Sequence, residues 1–413
     1  MFFFSPASQR HSRLRLRDLA VFLLLSATAP PCIAQVEIPN TASPSSKSPG
    51  DKILGPISFG FDLGQSYGTS AARFENGTTI PLAKIRGTNG YAALMETLVA
   101  QASTPHWLSY EGTIGRLHGL FQTLKRSLVH VPTEEARVLA EMVAALKTAS
   151  EATLQTQIKA VAVTAPWVDA WDGQNHDDSV INDALLLAGL EPWKGRWEEA
   201  RDYLGEANAA LASERRWLCQ NNWCAGHWVE VEEETTSGGP LFFVSFTNRS
   251  LYTSFQRSTC YHFGSEDHHL ASIDPRYGLD HANQAESPAK FWSELRLHLT
   301  SLAKKNRERD RGDHSQLPLT MLVTGEAAET PEFLDVVRDV ARDIEQLCTS
   351  EPKAVGCKEN TTGGGVELVI LDDPTYGPAK GAAFWLWTRM SKGYCAEIGI
   401  LDQYDMVRDH VEL

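Results

Sequence analysis

Gly60-Phe61-Asp62-Leu63-Gly64-Gln65-Ser66-Tyr67-Gly68 lies where two apolar runs meet. Residues 57–63 are apolar and punctuated by glycine, as a buried strand is. Residues 68–74 read as a second strand, which Asn76-Gly77 turns into a third run at 78–82. An Asn-Gly pair between apolar runs is a hairpin signal, because both residues tolerate positive φ. The quoted stretch therefore bridges two strands.

Outward from it the chain alternates. Residues 133–148 space Ala136, Leu139, Ala140, Val143, Ala144 and Leu146 as a helix does, with Glu134 and Glu135 at the end its dipole favours. A buried strand follows at 158–164, ended by Pro166, then a helix at 178–190 stopped near Gly189 and another at 205–218. Strands are expected at 241–246, 251–255, 319–324 and 366–371. Helices are expected at 294–305 behind Ser293 as N-cap, at 330–347 with Pro331 in the first turn, and at 379–390. Strands and helices alternating through both halves predict an α/β protein with two similar lobes. We place lobe I at 56–218, a Cys- and Trp-containing insertion at 219–239 and lobe II at 240–378. Residues 379–413 are a helix returning to lobe I and a tail.

The quoted stretch closely resembles the first phosphate-binding loop of the 70-kDa heat-shock protein family, which reads Gly-Ile-Asp-Leu-Gly-Thr-Thr-Tyr-Ser. Further motifs follow in family order. Val161-Ala162-Val163-Thr164-Ala165-Pro166-Trp167 looks like V-T-V-P-A-Y-F. Residues 184–190 resemble A-G-x-I-A-G-L, and Glu206-Ala207-Asn208-Ala209-Ala210-Leu211 is similar to E-P-T-A-A-A. Leu322-Val323-Thr324-Gly325 with Thr330-Pro331-Glu332-Phe333 resembles the adenosine motif L-V-G-G-S-T-R-I-P. Asp372-Asp373-Pro374 with Ala379-Lys380-Gly381-Ala382-Ala383 resembles D-P-D-E-A-V-A-x-G-A-A. The resemblance spans residues 56–392 and implies the actin-like ATPase fold, two lobes around a nucleotide cleft. It implies that Gly64, Gln65, Ser66, Tyr67 and Gly325 touch nucleotide, and that Asp62 and Glu206 are the catalytic carboxylates of its metal shell. Gly64 would let backbone approach phosphate, the next amides would donate to it, and Asp62 would serve a hydrated metal ion. The family's peptide-binding domain and lid are expected to be missing.

The departures shape the expected function. Where the family's second phosphate loop reads D-L-G-G-G-T-F-D-V-S, this chain has Ser245-Phe246-Thr247-Asn248-Arg249-Ser250-Leu251-Tyr252. No glycine remains, a third carboxylate has become Ser245, and the side chains of Thr247, Asn248 and Arg249 crowd the path phosphate needs. Glu326 adds negative charge beside the adenosine motif. Lys125 and Arg126 lie at a suitable distance after Asp62, but their surroundings do not match the family's catalytic lysine. Phosphoryl transfer needs charge neutralisation and a positioned nucleophile. We therefore expect a pseudo-ATPase, without ATP, Mg or another metal as working cofactor, that binds an unknown protein or small-molecule ligand. The alternatives are a divergent, chaperone-like ATPase of the secretory pathway using ATP and Mg, and an accessory protein of a biosynthetic pathway.

The start of the chain suggests the compartment. Arg10, Arg13, Arg15 and Arg17 precede an apolar run at 19–29, and small residues precede Gln35. Residues 1–34 read as a cleavable secretory signal, and the run is too short to span a bilayer, so no stable membrane span is expected after cleavage. Residues 35–55, rich in Pro and Ser, read as a disordered linker. Losing the signal would take the net charge of the 413-residue chain from −14 to −17, and an acidic chain is a poor nucleic-acid binder. It would also remove Cys32, leaving an even set. Cys219 with Cys224 and Cys348 with Cys357 are local disulfide candidates, and Cys260 with Cys395 follows by elimination. Sequons at Asn76, Asn248 and Asn360 agree with a secreted or secretory-lumen glycoprotein.

Other clusters carry less. His262, His268, His269 and His281, near Glu266, Asp267 and Asp280, fit no metal spacing and read as a polar loop. Asp177 and Asp178 after His176 suit a helix start. Arg311-Gly312-Asp313 belongs to a charged, solvated run. Gly363-Gly364-Gly365 lacks the helix and lysine of a phosphate loop. Trp385 and Trp387, flanking Leu386, suggest packing against both lobes or an exposed contact surface.

Overall fold

The structure is a computed structural model that describes residues 36–37, 55–102, 132–168, 171, 179–192, 203–214, 239–256, 270–309, 318–350 and 365–390. β2 (Pro56–Leu63), β3 (Tyr67–Phe74) and β4 (Thr79–Arg86) form an antiparallel meander. Gly77, at φ 82°, makes the turn between β3 and β4. β5 (Ala162–Ala165) and β6 (Leu204–Gly205) add in parallel beyond β2. β1 (Val36–Glu37) pairs antiparallel with the outer edge of β4. These two residues open the stretch read as a disordered linker, and their pairing corrects that reading for them, since β4 otherwise offers an open edge.

The second lobe repeats this plan. β7 (Leu241–Phe246), β8 (Leu251–Gln256) and β9 (Ser272–Asp274) are the antiparallel meander, and β10 (Leu319–Thr324) and β11 (Val366–Ile370) the parallel pair. The sheets run β1-β4-β3-β2-β5-β6 and β11-β10-β7-β8-β9. Leaving β1 aside, both read third, second, first, fourth, fifth. This duplicated mixed sheet is the actin-like ATPase architecture.

Lobe I carries α1 (Asn89–Ala102), α2 (Glu134–Leu154), α3 (Val180–Leu187) and α4 (Glu206–Ser213). α2 starts where Thr133 caps it, the side chain accepting the Ala136 amide. α3 stops before Gly189, at φ 68°. Lobe II carries α5 (Leu279–Gln284), α6 (Pro288–Arg309) and α7 (Pro331–Ser350). α6 starts at Pro288, so Ser293 lies inside the helix and is not its cap. Pro288 suits a first turn, the amides of Lys290 and Phe291 bond back to Ser287 O, and Phe291, Leu295 and Leu299 continue one buried face. The lobe II core joins Phe242, Val244 and Phe246 of β7 to α6 and to Phe333 and Val337 of α7. Phe246 stacks on Phe333 at 4.2 Å between centroids.

α8 (Gly377–Met390) packs against β2, β3 and α4 of lobe I. Contact is backbone to backbone: a Cβ on Gly60 would lie 2.1 Å from Ala379 O, and one on Gly381 1.7 Å from Ala209 O. Trp385 is buried with Ala162 and Leu386, while Trp387 lies under the Arg73 guanidinium at 4.2 Å. Both tryptophans therefore pack on lobe I rather than on both lobes, because α8 runs along that sheet. No helix among the described residues is long and apolar enough to cross a membrane.

Candidate functional site: the seam between two strand turns

By the duplication, the turn after β2 and the turn after β7 are counterparts. They touch. Gln65 Nε2 donates to Ser245 O at 3.0 Å and to Ser250 O at 3.4 Å, and Ser66 Oγ donates to Thr247 Oγ1 at 3.1 Å. Gln65 and Ser66 are each 1% exposed. Behind the first turn, Tyr91 Oη donates to Gly64 O and the Gly87 amide to Ser66 O, both at 2.9 Å. Arg249 crosses the seam to Gly87 O at 3.1 Å and Asn89 Oδ1 at 2.7 Å. Further along, the Trp167 amide donates to Tyr252 Oη at 2.9 Å.

The amides of the second turn are used inside the protein. The Thr247 amide donates to Ser250 O at 3.0 Å, and the Asn248 amide to Glu326 Oε1 at 3.2 Å. The Arg249 and Ser250 amides both donate to Thr247 Oγ1, at 3.2 and 3.0 Å. Glu326 Oε2 lies 2.8 Å from Lys84 Nζ on β4. Gly325, just before it, has φ 108°, and a Cβ there would lie 2.2 Å from Phe246 O. Glycine is needed at this close approach.

Beside the seam two carboxyls are sealed in. Asp62 is the penultimate residue of β2, with no exposure, and Glu206 opens α4 at 2%. Neither oxygen of Asp62, nor Glu206 Oε2, has a hydrogen-bond partner among the described residues. The Thr69 and Thr164 hydroxyls and Gln65 Oε1 are equally unsatisfied. Burial, then the neighbouring Glu206 charge, pushes the Asp62 carboxyl well above its ordinary range. Burial pushes Glu206 up to about 8, opposed by the nearby Ser245 hydroxyl. Burial and the Asp62 charge also raise the Tyr67 and Tyr91 phenols.

No protein-family model and no curated protein matches the chain. Among solved structures it is similar to the ethanolamine utilization protein EutJ from Carboxydothermus hydrogenoformans, at 12% identity and TM-score 0.38, over 80% of this chain and 92% of that one. It is also similar to a ROK family glucokinase from Streptomyces griseus in complex with glucose and AMPPNP, at 12% identity and TM-score 0.42, over 79% and 97%.

The structure thus brings Asp62, Gly64, Gln65, Ser66, Tyr67, Glu206 and Ser245 to one seam, with Gly325 behind the second turn. Asn76 is exposed, its Oδ1 accepting from the Thr78 amide and hydroxyl at 3.0 and 2.7 Å. Asn248 is part-buried in the seam. Asp280 and His281 lie on α5, and no group of three metal-ligating side chains exists among the described residues. Cys348 lies on α7. The other features expected from the sequence fall outside the described residues: the 1–34 signal, Lys125, Arg126, the other histidines of the cluster, Arg311-Gly312-Asp313, Asn360, and Cys219, Cys224, Cys260, Cys357 and Cys395. Sequence reasoning did not find Lys84, Tyr91 or Gly87. Lys84 is signalled by being a charge between the apolar residues Ala83 and Ile85 of β4.

Proposed function

We propose that this protein is a pseudo-ATPase, related to the 70-kDa heat-shock proteins, that acts by binding a protein or small ligand and does not turn over nucleotide. The observation that carries the reading is the direct contact of the two turns. Gln65 and Ser66 spend their side chains on Ser245, Ser250 and Thr247. The four amides of residues 247–250 already have protein acceptors, so phosphates do not fit at the second turn. Asp62 and Glu206, with the Thr164 hydroxyl, do offer the unsatisfied oxygens that suit a small hard cation such as Mg²⁺. Bound there it would supply charge neutralisation; the residues' own part is to hold protons in a dry seam. Secretion remains part of the proposal, with disulfides pairing Cys219 to Cys224 and Cys348 to Cys357.

Calorimetric titration of the protein with ATP·Mg is expected to give no saturable heat at micromolar concentrations, and clear micromolar binding would overturn the reading. The second reading, a divergent ATPase, is favoured by the retained Asp62 and Glu206. It requires a wild-type phosphate-release rate above blank that Asp62→Asn removes. Secretion is tested separately. Peptide mapping of protein from a glycosylating host should find glycan on exposed Asn76, and bare Asn76 in secreted material ends that part.

A further inference from the structure

We propose that Glu326 is a latch that keeps the two lobes shut without a ligand. A cleft that admits ligands must let its lobes part, and something must set the resting state. Here one carboxylate is shared between the lobes. Oε1 accepts the Asn248 amide of its own lobe, which fixes the side chain, and Oε2 reaches Lys84 on β4 of the other.

The placement of both partners is determined locally. Gly325 turns the chain at positive φ against the Phe246 backbone, and its own amide is held by Pro374 O at 2.9 Å. That bend leads Glu326 over the second turn. On the other side Lys84 Nζ stands 5.8 Å from the centroid of the Tyr67 ring, at the start of β3. The side chains of Lys84 and Glu326 are 16% and 9% exposed. Shielding of this degree makes the pair less screened than a surface ion pair, and removal of either partner leaves the other charge poorly solvated. Arg249, next in the chain to Asn248, crosses the same gap to Gly87 and Asn89, so the second turn is clasped from both sides.

The chemistry suits self-closure. An amide N–H and an ammonium are the donors that anions take. The protein meets both with its own carboxylate, so closure needs no second molecule. The latch is independent of whether ATP binds, since either result in the titration above leaves it standing.

Hydrogen exchange read at two reporters away from Glu326 tests it. The Trp167 amide bonds across the seam to Tyr252, and the Gly87 amide bonds to Ser66 O beside it. In Glu326→Ala both should exchange roughly tenfold faster or more, while amides of β7 and β10 keep their protection. Lys84→Met should do the same and, being part-exposed, is the variant to rely on if the first folds poorly. The double variant should be no faster than the quicker single one, because one latch cannot be opened twice. Unchanged Trp167 and Gly87 exchange in Lys84→Met, or effects that multiply in the double variant, would overturn the proposal.

Discussion

Melted from pH 5 to pH 8, the protein should lose stability steadily as the pH rises, and Glu206→Gln should remove its own share of the loss and flatten the profile. In the unfolded chain Glu206 ionises near its ordinary 4.5, but the folded chain keeps the proton up to about 8 because burial penalises the charge. Between those values the folded state binds more protons than the unfolded one, so its stability falls as protons become scarce. The slope is about 1.4 kcal/mol per pH unit for one such group, or at most roughly 4 kcal/mol across the window. Asp62, also raised, acts in the same direction. A salt-bridged acid would show the opposite sign. Denaturant midpoints measured through the window check this. A flat profile, or parallel wild-type and variant curves, refutes it. Magnesium chloride added at pH 8 separates the two functional readings. If a cation holds the pair, wild type gains stability and Glu206→Gln does not.

Gly381→Ala should cost about 3 kcal/mol or more. α8 is pressed between β2 and α4 with no room on either side. The new Cβ would lie 1.7 Å from Ala209 O and 2.6 Å from its carbonyl carbon, both backbone atoms that cannot rotate away. On the other face a Cβ on Gly60 would lie 2.1 Å from Ala379 O and 2.4 Å from Ala383 N, so α8 cannot retreat without pushing on β2. Gly90→Ala is the control. It lies in the first turn of α1 with only Thr88 Oγ1 nearby, at 3.8 Å, and should be neutral or stabilising by up to about 1 kcal/mol. Equal denaturant midpoints for Gly381→Ala and wild type would contradict the packing described.

How far the fold could be read follows from burial. β7 and β10 are buried along their whole length, so each appears as a mostly apolar run with the boundaries the sequence suggests. β6 and β9 have two and three half-buried residues and leave no periodic trace. α1 did leave one, in Tyr91, Met95, Leu98 and Val99, but Asn89-Gly90 at its start imitates a turn. At the site, Asp62 and the two turns were legible because turn chemistry is local. The closed seam was not. Gln65 reaches residues 180 and 185 positions away, and Arg249 reaches Gly87 across 162. Such contacts depend on how the lobes meet, which no local pattern encodes.

The matching strand order of the lobes carries a consequence for Ser245. Asp62 and Ser245 are the penultimate residues of counterpart strands, paired with Thr69 and Tyr252. An acid at both would set a third carboxylate against Asp62 and Glu206 in a space that excludes water, and like charges would drive the halves apart. Serine removes that repulsion and sets a neutral hydroxyl near Glu206 instead. Read as catalysis, this position records a loss. Read as mechanics, it is the substitution that makes a resting state with closed lobes tolerable.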